Sequence, residues 1–137
     1  MSTYTQIYYH IVFSTKDRKR VLDCARRPDL FRYIWGIVKN NKSYLYRINA
    51  VDDHVHILTS LHPTVALADL VKDIKTASNA WIKETSVFKA FTNWQDGYGA
   101  FTCSNEQVGA LVEYIKRQEE HHKVETFREE LVRMLTD

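Results

Sequence analysis

The sequence predicts an α+β fold: a four-stranded antiparallel sheet with two helices on one face and a third helix on the other. Three observations carry this expectation. Four segments read as strands, the first with a clear period-two alternation, whereas three others repeat apolar residues every three or four positions. Their order is β-α-β-β-α-β-α, and its two β-α-β halves close into the ferredoxin-like (RRM-like) arrangement. With 137 residues, the chain suffices for one well-packed domain and is too short for two.

Ile7, Tyr9, Ile11 and Phe13 alternate with Gln6, Tyr8, His10, Val12 and Ser14, the pattern of a central strand. The charged loop STKDRKR follows. Pro28 and Asp29 then open a helix with Leu30, Ile34, Ile37 and Val38 on one face, and NNKS ends it. YLYRINAV and HVHILTSL read as two strands, tightly joined through the turn residues Asp52 and Asp53. A second helix follows Pro63, with Thr64 as its expected cap and Leu67, Leu70, Val71, Ile74, Ala77 and Trp81 as its stripe. TSVFKAFTNWQDGYG reads as a long, turn-rich connection and GAFTCS as a short fourth strand, where core packing is the expected role of Cys103. Ser104 or Asn105 should cap a third helix running to about Lys123, and residues 124–135 suit one more short helix.

Composition bounds the function. At 45% hydrophobic and 26% charged, the chain is ordinary for a soluble globular protein. No apolar run is long enough to cross a bilayer, and the opening MSTYTQIYYHIVF has no basic leader before an apolar segment. Only Cys24 and Cys103 are present, which excludes a Cys-rich zinc module and suits a reduced, cytoplasmic location. The net charge of +2 conceals an asymmetry: residues 1–47 hold ten Lys/Arg against three acids, and residues 48–137 nine against fourteen. A basic first third rich in aromatics suits a nucleic-acid surface, although the same aromatics at strand and helix spacing also suit a core.

Two histidines stand out. In a strand His54 and His56 project from one face, and the alternation around His10 is compatible with that same face. Two imidazoles so placed can share a metal ion but rarely complete a site, and a half-exposed strand would explain them equally well. The third helix supplies a counterpart. Beside its apolar arc (Val108, Leu111, Val112, Ile115), Tyr114, Gln118 and His121 share a stripe one turn apart. On a helix covering the histidine face, that stripe would form the second half of a site.

Such a site has a specific chemistry. A tyrosine hydroxyl attacks phosphorus well when a divalent cation offsets the crowding negative charge. Two neutral imidazoles and an amide oxygen leave that cation its full charge, so Mg²⁺ or Mn²⁺ is the expected cofactor. Attack on a DNA phosphodiester would give a covalent phosphotyrosine and a free hydroxyl end. Joining is the reverse reaction, so no nucleotide cofactor is expected.

DHVHIL, WQDGYGAFTCS and YIKRQEEHH, in this order, closely resemble the small single-tyrosine HUH transposases, the REP-associated and IS-two-hundred-like group. YYHIVFSTKDRKRVL is similar to that family's first strand and following loop, so the resemblance spans nearly the whole chain. It implies a single HUH transposase/endonuclease domain over residues 1–137, with His54, His56 and Gln118 as metal ligands and Tyr114 as nucleophile. It also implies a homodimer joined through sheet edges, in several members of which the tyrosine helix serves the partner's histidines. The implied substrate is single-stranded DNA with a foldback hairpin, cleaved to a 5′-phosphotyrosine and a 3′-hydroxyl. A further DNA-contacting segment beyond Asp137 would fit the family.

His10 and His121 remain accessory candidates, and His122 and Asp53 carry no role from the resemblance. Lys16, Arg18, Lys19, Arg20, Arg26 and Arg27 are expected at DNA phosphates, against the alternative of a solvated charged loop. Two other functions suit the fold. A non-catalytic single-strand nucleic-acid binder would not need the Tyr114 hydroxyl. A histidine phosphoesterase acting on RNA ends usually needs two separated histidine motifs, and only His54 to Thr59 is evident.

Overall fold

The period-two alternation at the N-terminus becomes the centre of the sheet. In the computed structural model, which describes residues 2–118, β1 spans Tyr8–Ser14. It lies between β3 (His54–Ser60) and β4 (Gly99–Cys103), and β2 (Leu45–Ala50) flanks β3, giving the order β2-β3-β1-β4. All three pairings are antiparallel. This is the expected ferredoxin-like sheet.

Helices α1 (Arg27–Asn40) and α2 (Leu67–Thr85) cover one face. Leu30, Ile34, Ile37 and Val38 of α1 and Leu70, Val71, Ile74 and Ile82 of α2 meet Ile11, Phe13, Val55 and Ile57 of the central strands. Each fully buried aliphatic side chain contributes about 1.5–3 kcal/mol. This face therefore anchors the strands and leaves their other side chains available. α3 (Val108–Lys116) lies against β2 and β3 on that second face.

Several details differ from the sequence reading. Thr64 does not cap α2: the helix begins at Leu67 after Ala66, and the Thr64 hydroxyl lies 2.7 Å from His62 Nδ1 in the preceding turn. The turn residues 62–65 already form their own backbone bond, so the helix cannot start there. Cys103 is half-buried at the end of β4, outside the core cluster. β2 shifts register between Leu45 and Arg47. The helical part of α3 ends at Lys116, and the readings for residues 119–137, among them the helix to Lys123 and the tail helix, lie outside the described residues.

The connection before β4 is more ordered than its composition suggests. Gln95 N donates to Ser14 O at 2.8 Å and Lys16 N to Asn93 O at 2.9 Å, so residues 93–95 pair alongside the end of β1. Gly97, at φ +86°, turns the chain between this pairing and β4, where a side chain would be strained. The Lys75 ammonium clamps the turn by donating to Gln95 O and Gly97 O at 2.6 and 2.9 Å.

Candidate active site

Three histidines converge on the α3 face. In the ladder, Val12 stands opposite His56, Ser14 opposite His54 and His10 opposite Leu58, which brings His10 diagonally next to His56. His54 and His56 are fully buried and His10 is 2% exposed, which excludes a merely half-exposed strand. The rings form a chain of close contacts. His54 Nδ1 lies 2.7 Å from Asp53 Oδ1, His54 Nε2 lies 3.1 Å from His56 Nε2, and His56 Nδ1 lies 2.8 Å from His10 Nε2. Asp53, read from sequence as a turn residue, does serve the turn through its carbonyl, which accepts from Thr15 N. Its carboxylate additionally orients His54.

Helix α3 is fixed at both ends. A Ser104–Gln107 capping box opens the short 3₁₀ turn that leads into it, and the Tyr8 hydroxyl donates to Asn105 Oδ1 at 3.0 Å. At the far end, Asn49 Nδ2 donates to the carbonyls of Ile115 and Lys116 at 2.9 and 3.1 Å. Asn49 stands opposite His56 in the ladder, so the last turn of α3 is tied to the strand beside the histidine pair. Sequence reasoning missed Asn49: its polarity at an inward-facing strand position was a signal, but its target depends on the register.

The result places Tyr114 over the histidines of its own chain. Its ring is edge-on to His56 and His10, with centroids 6.3 and 6.5 Å apart. Gln118 is fully buried one turn further on, and its Oε1 has no hydrogen-bond partner among the described residues. Burying an amide oxygen without a partner costs about 1–3 kcal/mol, a cost that a bound cation would offset.

That orphaned oxygen and the paired Nε2 atoms are the observations against which a metal can be tested. Among the described residues no three His, Cys, Asp or Glu side chains form a metal cluster, so any ion must use a less common donor set. Two nitrogens bound to one ion at about 2.1 Å and at right angles stand about 3.0 Å apart. The observed 3.1 Å between His54 Nε2 and His56 Nε2 fits this. The chemistry of two imidazoles and one amide oxygen therefore suits a divalent ion.

The predicted DNA-contacting residues fall into two groups. Lys16, Arg18, Lys19 and Arg20 are exposed on the loop after β1, with Asp17 and Arg18 in the left-handed region. That loop is held from below by Asp17 N donating to Gln95 Oε1 at 2.9 Å. Arg26 and Arg27 each have a partner in the fold: Arg26, itself exposed, meets Asp29 Oδ2 through Nε at 2.8 Å, and the half-buried Arg27 donates through Nε to Leu22 O at 2.9 Å. The hydrogen bond from Arg26 holds the Asp29 carboxyl below its usual range. Of the aromatic residues in the first third, Phe13, Tyr9, Phe31 and Tyr33 join the core, while Tyr4, Trp35, Tyr44 and Tyr46 are exposed. His121 and His122 lie outside the described residues.

Comparison with known proteins decides the family. The family described as "Transposase IS200 like" matches residues 3–118. The chain belongs to the IS200-like transposases. Within this family, the ISDra2 transposase TnpA of Deinococcus radiodurans is 27% identical over 123 residues, spanning 82% of this chain and 84% of that protein. Two solved structures share the fold, each with a TM-score of 0.67. One, described as a candidate transposase from Deinococcus radiodurans, is 24% identical and covers 86% of this chain and 95% of its own. The other is a REP-associated tyrosine transposase bound to a REP hairpin, 15% identical, with 89% of this chain and 74% of that one covered. The matched segment of the IS200-like family spans all four strands and α3.

Proposed function

We propose that this transposase is a single-strand DNA endonuclease and strand transferase. It cuts and rejoins hairpin-bearing DNA through a covalent 5′-phosphotyrosine on Tyr114. The observation that supports this reading best is the Tyr114 ring lying edge-on to His56 at 6.3 Å, beside a buried Gln118 oxygen with no described partner. The Tyr114 hydroxyl, two imidazoles and the Gln118 amide oxygen are the groups on which this reading draws.

In the proposed reaction the Tyr114 Oη–P bond forms as the P–O3′ bond breaks. The hydroxyl gives up its proton and the departing 3′-oxygen gains one, so the step balances without redox change or ATP. Rejoining runs the same exchange in reverse with an incoming 3′-hydroxyl. His54 Nε2, His56 Nε2 and Gln118 Oε1 would hold a divalent ion, with Mn²⁺ favoured over Mg²⁺ by the nitrogen donors. When bound, that ion supplies charge neutralisation at the phosphate. The tie from Asn49 fixes the end of α3 and so orients the Tyr114 ring, while burial of the histidines keeps water from competing for their lone pairs. Hairpin recognition suits the exposed cations of residues 16–20 and is the ligand carried by the REP-associated neighbour. A homodimer through the exposed sheet edges is part of the same reading.

The test is an adduct assay. Protein incubated with single-stranded DNA carrying its flanking repeats, with and without Mg²⁺ or Mn²⁺, should yield a covalent product on a denaturing gel only with the metal. Tyr114→Phe should remove the product while leaving hairpin affinity within about twofold, because hairpin binding is carried by the cations of residues 16–20 and the variant loses a single hydroxyl at the cleavage point. An adduct that persists in Tyr114→Phe excludes the proposed nucleophile. Hairpin binding with no adduct under any condition favours a non-catalytic binder instead.

A further inference from the structure

We propose that His10 is a positioning residue for the histidine pair. Its Nε2 accepts a hydrogen bond from His56 Nδ1–H and so leaves the His56 Nε2 lone pair for the ion that it would share with His54 Nε2. The inference rests on the metal-site reading above and assigns a function to a residue that the family resemblance leaves without one.

A neutral imidazole carries one N–H and one lone pair, and the partner at one nitrogen decides which tautomer is present. His54 is settled by Asp53: an ionised carboxylate only accepts, so Nδ1 at 2.7 Å carries the proton and Nε2 the lone pair. For both lone pairs to converge across the 3.1 Å gap, His56 must also carry its proton on Nδ1. The group standing at His56 Nδ1, at 2.8 Å, is His10 Nε2.

The setting of His10 suits that duty. It sits mid-strand in β1 and is 2% exposed, so it cannot swing into solvent. Phe101 stands 6.2 Å from its ring on the neighbouring strand, and Tyr114 lies edge-on at 6.5 Å. The His10 and His56 rings are tilted by only 32°, compatible with an in-plane N–H···N bond. An imidazole also does what a second carboxylate could not. It accepts a hydrogen bond without adding a buried negative charge beneath Tyr114, where a phosphodiester has to approach. The two imidazoles are therefore oriented by unlike partners, anionic behind His54 and neutral behind His56.

The test measures metal binding and tautomer state, without turnover. Mn²⁺ is titrated calorimetrically into wild type, His10→Phe, His10→Gln and His54→Ala. Melting temperature and hairpin affinity are measured without metal. His10→Phe keeps the ring volume but has no acceptor, and Mn²⁺ affinity should fall about 10- to 100-fold with both metal-free readouts retained. His10→Gln restores an acceptor oxygen and should recover most of the loss. Nitrogen-15 spectra of the Mg²⁺-loaded wild type should place the His56 proton on Nδ1, an outcome that does not depend on any variant folding.

Three results would overturn the proposal: full Mn²⁺ affinity in His10→Phe, no recovery in His10→Gln, or a His56 proton on Nε2. Loss of binding in His54→Ala with none in His10→Phe rejects the role of His10 alone. Unchanged binding in His54→Ala rejects the metal site itself.

Discussion

Asn49→Ala should loosen the tyrosine helix without unfolding the sheet. The Asn49 amide nitrogen donates to the carbonyls of Ile115 and Lys116, and β2 is an edge strand. A neutral hydrogen bond contributes about 1 kcal/mol net, so two lost bonds weaken docking of the last turn by about 2 kcal/mol. At 1.4 kcal/mol per factor of ten, the undocked population rises about 30-fold. Amide hydrogen exchange reads this directly. Protection across residues 111–116 should fall by about that factor, while the amides of His56 to Leu58 in central β3 keep theirs. Single-turnover adduct formation should slow, because Tyr114 is then held over the histidines for less of the time. Unchanged exchange in α3 would show that Asn49 does not hold the helix. An equal loss in β3 would show that α3 and the sheet open as one unit, refuting the local-docking argument.

Three other outcomes follow from the geometry. Gln118→Leu removes a buried oxygen that has no described partner, so metal-free stability in urea should stay level or rise by about 1 kcal/mol while adduct formation is lost; a fall of more than about 2 kcal/mol would mean that the oxygen is satisfied in the free protein. Replacing Lys16, Arg18, Lys19 and Arg20 by Gln should weaken hairpin binding and flatten its logarithmic salt dependence by about 0.7–0.9 per lost phosphate contact, and an unchanged slope places the DNA elsewhere. Burial pushes the Cys103 thiol above its ordinary value of 9.0, leaving less reactive thiolate at pH 8. A disulfide reagent should therefore modify exposed Cys24 before Cys103 at pH 8, and the Cys103 rate should still be climbing with pH above 9.0; equal rates at pH 8 would contradict this ordering.

What the sequence determined by itself was whatever repeats locally. Period-two alternation placed β1, runs bounded by turn residues placed the other three strands, and the 3.6-residue stripes placed α1, α2 and the start of α3. Within those elements, adjacency along the chain was enough to pair His54 with His56 on one face, and to set Tyr114 one turn from Gln118. The cap was legible as Ser104 or Asn105, and the structure selects Ser104 through its capping box with Gln107. Thr64 was misread for a related reason: a good capping residue was present, but the His62–Val65 turn had already claimed the backbone.

The tertiary structure decided the relations that no short window contains. His10 meets His56 across 46 residues, and Asn49 reaches Ile115 across 66. Both contacts require the strand register to be fixed first, since a slip of one residue would turn each side chain to the opposite face. Burial of the Gln118 oxygen without a described partner likewise exists only once α3 has docked. Local periodicity names the residues that face a surface. Which of them touch is settled by the long-range pairing that brings β1, β2, β3 and α3 together.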